Sequence, residues 1–364
     1  MPTPCTVFRV NTKNVTSVDS IGGWSEVLAR VVSGDNLSSE DCRSAMTEIL
    51  SGSATDAQLA ALLVALRMKG ETSEELVGLA TAMLDAAEPL SLPPKTVDIV
   101  GTGGSSRRRR HALNVSTMAS IVVAAAGVKV CKHGNKKASS TSGSFDFLEA
   151  LGVGIQITPD QLEGCLRKVG VGFAFARTFH PAMRLVGPTR TQLGIPTVFN
   201  ILGPLVHPGR PEYQLIGTSS VELGAKMAKA VQSLGVSRAW VITGSGGYDE
   251  LTLTGQSHIW DVGPDEIIER TVTSEDAGLE PIDSIDMLAG GNGEENVQIF
   301  ADIVSGEDAG PKRDIVVYNA AAALVIAGKA ESLVDGASMA LEVIESGQVA
   351  DKVDHLRRCT VRSG

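Results

Sequence analysis

Aromatic residues are scarce in this chain: 3 Trp, 3 Tyr and 8 Phe among 364 residues. A core built without them is filled by small aliphatic side chains, and Ala, Gly and Val are frequent. That suits helices packed closely on a sheet. Cysteine is sparse too. Cys5, Cys42, Cys131, Cys165 and Cys359 form no C-x-x-C or Cys/His spacing, which argues against zinc. Their odd number argues against a disulfide framework, so a reduced, cytoplasmic setting is expected. No apolar run reaches the roughly 18 residues of a membrane span. The first residues are polar and charged, unlike a secretory signal. Excess positive charge is also missing. The net charge of −10 disfavours general binding to nucleic acid or to an anionic membrane. A local basic site for a small anion remains open, with Arg107, Arg108, Arg109 and Arg110 as its candidate.

What is present is a change of texture along the chain. Residues 1–20 read as a flexible leader. Residues 21–90 read as a small all-helical domain, joined by helices from 178–200. Two capping boxes fix its register: Thr55 precedes Gln58 and Thr72 precedes Glu75, each ahead of a helical apolar pattern. Gly52 and Gly70 are the expected helix stops. The segment PLSLPP (89–94) breaks the pattern and reads as a hinge. Residues 95–364 alternate strand-like and helical runs: VDIV (97–100), a helix over 116–126, VKVC (128–131), a helix through FDFLEAL, GFAFA (172–176), YQLIG (213–217), a helix over 219–234 and AWVIT (239–243). This alternation predicts an α/β domain with a mostly parallel central sheet flanked by helices. Residues 251–263 read as an edge hairpin, and further helices are expected over 314–327 and 330–345.

The chemistry concentrates between Val97 and Leu151. Gly101, Thr102, Gly103 and Gly104 follow the first strand. A tight turn alone explains them, and neither the GxGxxG spacing nor a Walker lysine is present. Asn114, Val115, Ser116 and Thr117 then open a helix. Ser and Thr are ordinary helix caps, yet a helix N-terminus beside a glycine turn is also an anion site. Lys132, His133, Gly134, Asn135, Lys136 and Lys137 follow the second strand, with Ser139, Ser140, Thr141, Ser142 and Ser144 behind them. Ligands of open α/β sheets bind at the carboxyl ends of strands, so two such loops in series predict a phosphate site. Asp249 and Glu250 follow a third strand-end glycine turn, where adjacent carboxylates hold Mg²⁺ directly or through water. His180 stands alone. Arg190 is suited to grip a carboxylate with both edges of its guanidinium. FNILGPL (199–205) reads as a structural turn.

These motifs, in this order, resemble those of the anthranilate phosphoribosyltransferases across residues 25–345. The resemblance rests on GTGG (101–104), NVST (114–117), KHGN (132–135), SSTSGS (139–144), HPAM (180–183), Arg190, FNILGPL and Asp249-Glu250. It implies attack of the anthranilate amine on C1 of phosphoribosyl pyrophosphate (PRPP), with pyrophosphate leaving. It implies a PRPP site lined by Gly101, Thr102, Gly103, Gly104, Ser105, Asn114, Val115, Ser116, Thr117, Lys132, His133, Gly134, Asn135, Lys136, Ser139, Ser140 and Ser144. Anthranilate would meet Gly101, His133, Asn135, His180 and Arg190, with Arg190 on its carboxylate. Two Mg²⁺ ions are implied, one on Ser116 and one on Asp249 with Glu250. The small domain of this family closes on the α/β domain and forms a homodimer.

The chain departs from the family pattern after GTGG. Ser105 stands where an acidic residue is usual, and the link SSRRRRHAL is longer than the family's. Ala112 and Leu113 replace the usual Thr-aromatic pair, and Pro196 stands where Arg is common. Arg107–Arg110 can serve as a substitute diphosphate clamp or as a solvated loop. Two further readings differ in class. One keeps the transfer but uses a substituted aminobenzoate. The other is a catalytically silent relative that binds nucleic acid through the arginine run.

Overall fold

Short polar signals start and stop the helices. In the computed structural model, which describes residues 16–103, 113–136 and 142–360, the helices α1 (Gly23–Val32), α2 (Ser39–Ser51), α3 (Asp56–Lys69) and α4 (Ser73–Asp85) come first. Thr55 caps α3 and Thr72 caps α4, each reciprocated by the side chain three residues on. Gly52 and Gly70 occupy the C-caps of α2 and α3. Residues 1–15 of the expected leader lie outside the described residues. Its last part is helical: Ser17 caps a 3-10 turn over Val18–Ile21 and Val18 is fully buried.

The chain divides into two units. The smaller holds residues up to Pro89 together with Arg177–Pro208. The larger holds Leu90–Ala176 and the chain from Gly209 onward. Within the smaller unit, α2 and α4 cross so closely that a Cβ at Gly78 would overlap the carbonyl oxygen of Ser39. Glu75 ties its loops together. Its fully buried carboxylate accepts from the backbone N–H groups of Thr72 (2.8 Å) and Leu37 (3.0 Å) and pairs with Lys69 at 2.9 Å. The later helices of this region are short: α8 (Ala176–Phe179), α9 (Gly187–Leu193) and α10 (Phe199–Leu202). FNILGPL is therefore α10 followed by a 3-10 turn.

The larger unit is a seven-stranded sheet. Its strands are β1 (Val97–Gly101), β2 (Val130–Gly134), β3 (Val171–Phe175), β4 (Tyr213–Gly217), β5 (Arg238–Thr243), β6 (Ser257–Val262) and β7 (Ile267–Val272). Their order is β3-β2-β1-β4-β5-β6-β7. The first five are parallel, and β6 and β7 are antiparallel. The direction of winding reverses between β1 and β4, and such a switch point opens a crevice at the strands' carboxyl ends.

The flanking helices are α5 (Val115–Ala125), α6 (Ser144–Ala150), α7 (Pro159–Lys168), α11 (Val221–Ser233), α12 (Gly293–Ser305), α13 (Pro311–Ile326), α14 (Leu333–Glu345) and α15 (Gln348–Thr360). From Ile315 to Ile326, α13 is buried on every face. Its run Ala320–Ala323 lets neighbours approach, and a Cβ at Gly336 of α14 would meet the Ala321 carbonyl oxygen at 2.8 Å. Small residues thus do the packing that aromatics would otherwise do. Among the described residues, no helix is long and apolar enough to cross a membrane.

Two sequence expectations are corrected. The second strand begins at Val130, two residues later than its apolar run. The edge hairpin is β6 with β7, not residues 251–255 with β6. Leu251 and Leu253 are buried as their alternation suggests, but side-chain and loop groups take up their backbone. Asn319 of α13 bonds both the N–H (3.1 Å) and the C=O (3.0 Å) of Leu251, and the Leu253 carbonyl accepts from Ile282.

Candidate active site

Three loops meet at the switch point of the larger unit. After β1 the chain runs through Gly101, Thr102 and Gly103. The Thr102 N–H donates to the Gly217 carbonyl at the end of β4 (2.9 Å), and Gly103 takes the left-handed conformation at φ 67°. Its N–H donates to Asp249 Oδ2 at 2.8 Å. Asp249 fills the crevice between the ends of β1 and β4. A Cβ at Gly101 would overlap its carboxylate, and a Cβ at Gly217 would overlap its backbone. Glycine is needed at both places because a carboxylate must approach the strand ends. Asp249 and Glu250 are each 7% exposed. The clamp of Asn319 on Leu251 fixes the segment that carries them.

Asn114, Ser116 and Thr117 stand at the start of α5. Asn114 occupies the cap position but makes no capping bond with its side chain. Its Oδ1 instead accepts from Ser142 Oγ (3.1 Å) and from Asn296 Nδ2 (2.8 Å). The first turn of α5 therefore has no side-chain cap, and its backbone N–H dipoles suit an anion. Ser116 is half-buried, and its carbonyl accepts from Ser120. Thr117 Oγ1 and Thr102 Oγ1 are buried hydroxyls without a partner among the described residues. Such groups are costly to leave unmet, and a ligand oxygen is a natural partner.

The loop after β2 is anchored from below. The β1 and β2 strands are in register at Val97 and Val130, and two side chains tie them further along. Asp98 Oδ1 accepts the His133 N–H at 3.1 Å, and Lys132 Nζ donates to the Ile99 carbonyl at 2.6 Å. Burial pushes the Asp98 carboxyl up to about 7, against the pull of Lys132. Lys132 and His133 are both buried. The structure thus sets Lys132 into the sheet as a strand tie, whereas the sequence reading gave it to the loop surface. Asn135 is exposed. Its carbonyl accepts from Ser144 Oγ (3.2 Å), and its Oδ1 accepts the Lys136 N–H (2.9 Å). Lys136 pairs with Glu149 at 2.7 Å. Gly134 passes under Ser144 and Phe145, and Phe145 stacks on Phe175 of β3 with ring centroids 4.7 Å apart. Gly104, Ser105, Arg107, Arg108, Arg109, Arg110, Ser139 and Ser140 lie outside the described residues.

His180 and Arg190 belong to the smaller unit. The His180 Nε2–H donates to the Val206 carbonyl at 2.9 Å, and burial pulls its pKa down to about 4, so the ring is neutral near pH 7. Arg190 lies on α9 with its guanidinium 5.2 Å from the Phe199 ring centroid. It is partly buried, which lowers its pKa, and it makes no ion pair among the described residues.

Sequence reasoning missed Asp98, Asn296 and Asn319. Asn296 stands among Glu294, Glu295 and Gln298 and gives no such signal, but Asp98 and Asn319 are each a single polar residue inside an apolar stretch of strand or helix. That anomaly was the available signal, since a buried polar group requires a partner.

Comparison with known proteins agrees with this arrangement. Residues 25–87 match the helical bundle domain of the glycosyl transferase family, and residues 93–350 match its a/b domain. The chain is 44% identical over 333 residues to the anthranilate phosphoribosyltransferase of Dehalococcoides mccartyi strain CBDB1, covering 91% of this chain and 96% of that one. The crystal structure of anthranilate phosphoribosyltransferase from Thermus thermophilus superposes with a TM-score of 0.85 at 39% identity, covering 92% of this chain and 98% of that one. The Saccharomyces cerevisiae enzyme, solved in complex with PRPP and Mg, gives 0.84 at 28% identity, covering 93% and 97%. Helical bundle, switch-point crevice and motif order all agree: the chain belongs to the glycosyl transferase family that includes the anthranilate phosphoribosyltransferases.

Proposed function

We propose that this chain transfers the phosphoribosyl group of PRPP to the amine of anthranilate and releases pyrophosphate. The observation that carries this reading is the buried Asp249, seated between the ends of β1 and β4 with its Oδ2 on the Gly103 N–H. Adjacent carboxylates at a strand-end crevice are the hard oxygen donors that a divalent cation takes. Among the described residues no group of three or more His, Cys, Asp or Glu could hold a metal ion alone. Asp249 and Glu250 therefore fit an ion that brings further oxygens with it, as Mg²⁺ on a diphosphate does. Ser116 is the proposed hydroxyl contact of a second such ion. Bound Mg²⁺ would neutralise charge on the leaving diphosphate.

The rest is positioning. Bond breaking at C1 leaves the electron pair on pyrophosphate, and the anthranilate amine supplies a new pair to C1. No protein nucleophile is required, so catalysis comes from orientation and from stabilising the departing charge. The glycine turn from Gly101 and the N-terminus of α5 would cradle phosphate oxygens, with Thr102 and Thr117 as hydroxyl donors. Lys136, Asn135 and Ser144 would line the other side. Arg190 would take the anthranilate carboxylate. Its partly desolvated guanidinium has no carboxylate of its own among the described residues, which supports that role. His180 would contact anthranilate as a neutral ring.

A homodimer formed by the helical unit belongs to the same proposal, supported by Val32 and Met68, which are 73% and 83% exposed. A cytoplasmic location does too, supported by the free Cys42, Cys131, Cys165 and Cys359. The test is pyrophosphate release. It should require PRPP, anthranilate and Mg²⁺ together. Release that ignores anthranilate would reject the acceptor assignment.

A further inference from the structure

We propose that Asn296 is a positioning residue that fixes which end of the Asn114 side-chain amide faces PRPP. The inference rests on the function proposed above and adds a residue to its machinery. Asn296 lies on α12, 182 positions from Asn114, and is fully buried.

The orientation follows from a backbone group. An amide's oxygen and nitrogen are told apart by their partners. The Gly291 N–H can only donate, and it meets Asn296 Oδ1 at 2.9 Å. The Gly291 carbonyl can only accept, and it meets Asn296 Nδ2 at 3.3 Å. Asn296 therefore presents its nitrogen, a donor, toward Asn114 at 2.8 Å. The Asn114 atom facing it must be the oxygen. Ser142 Oγ donates to that same oxygen at 3.1 Å. Two donors thus occupy Oδ1, and Asn114 Nδ2 is left with no partner among the described residues.

Asn114 is 8% exposed and sits at the start of α5, where the helix dipole favours negative charge. An unmet N–H₂ there is the correct polarity for a phosphate or ribose oxygen. The reversed amide would place a carbonyl oxygen against the anion. Gly290 keeps the arrangement tight: a Cβ there would meet Asn296 Oδ1 at 2.5 Å and Leu113 N at 2.6 Å. The loop before α12 thereby acts on the PRPP site through one side chain, without touching substrate.

The test compares Asn296→Asp with Asn296→Ala by titrating PRPP with Mg²⁺ calorimetrically. Asp keeps the size and still accepts from Gly291, but it presents an acceptor to Asn114 and turns that amide over. Asn296→Asp should raise the Kd for PRPP at least roughly tenfold, the factor given by ~1.4 kcal/mol. Asn296→Ala should raise it less, because water can donate in place of Nδ2. Equal rises in both variants, or none, would overturn the proposal. A second measurement does not depend on either variant folding. With ¹⁵N-asparagine labelling, the side-chain N–H₂ pair that disappears in Asn114→Asp should shift when PRPP and Mg²⁺ are added to the wild type. A pair that stays in place overturns the proposal. Wild-type protein that binds no PRPP would overturn the proposed function itself. Wild-type binding with an unmoved Asn114 pair would overturn this inference alone.

Discussion

At the scale of single residues, the proposed site makes separate predictions for its guanidinium and for its carboxylates. Arg190 is partly desolvated yet has no carboxylate partner among the described residues. Truncating it to Ala should raise the KM for anthranilate about 10-fold to 100-fold, the value of a lost charge-assisted bond, while the KM for PRPP moves little. Equal rises for both substrates would remove Arg190 from the carboxylate. Replacing Asp249 and Glu250 by Asn and Gln removes two anionic oxygen donors. The Mg²⁺ concentration needed for half-maximal rate should rise and turnover should slow. An unchanged Mg²⁺ profile would reject these residues as metal contacts.

His180 makes a pH prediction. Its folded pKa of about 4 lies below its ordinary 6.5 because the ring is buried. The unfolded chain therefore binds a proton that the folded chain refuses. The stability tied to the neutral ring is complete above about 6.5 and falls as pH drops toward 4. Asp98 runs in the opposite sense. Its pKa of about 7 lies above the ordinary 3.8, so its contribution is present below 3.8 and lost as pH rises to 7. Comparing wild type with His180→Gln isolates the histidine. Between about pH 7 and about pH 4.5 the variant should lose roughly 2 to 3 kcal/mol less stability in urea unfolding. Parallel losses would mean the ring is protonated in the fold.

At the scale of elements, close approach governs the packing. Gly78→Ala would push a methyl into the Ser39 carbonyl where α2 and α4 cross. Overpacking of this kind costs about 1 to 3 kcal/mol, so thermal unfolding should shift down measurably. An unshifted transition would show that the crossing can open at no cost. Elements with local signals were legible in the sequence. The capping boxes at Thr55 and Thr72 fixed two helix starts, and YQLIG is β4 to the residue. The GTGG, NVST, KHGN and DE motifs named the loops that the crevice is built from. Non-local partnerships were not legible. Leu251 to Gly255 alternates like a strand, yet Asn319 takes up the Leu251 backbone from 68 positions away. β7 carries four exposed residues in a row, so its sequence IIERTV lacks the in-out alternation of a half-buried strand. Lys132 looked like a loop cation until the strand register buried it.

At the scale of the whole molecule, one chain carries two kinds of unit with separate work. The parallel sheet supplies a switch-point crevice lined by glycine turns, a helix N-terminus and two buried carboxylates. The helical unit carries Arg190 and His180, the residues proposed for the acceptor. The acidic residue that the family places after GTGG is Ser105 here, followed by the arginine run, and both lie outside the described residues. The central claim is that the crevice still performs the transfer with this altered loop. Anthranilate fluorescence followed over time, with PRPP and Mg²⁺ added, tests it most directly. The account predicts a loss of signal that requires PRPP and stops when Mg²⁺ is chelated. A signal that stays constant at saturating PRPP would contradict it.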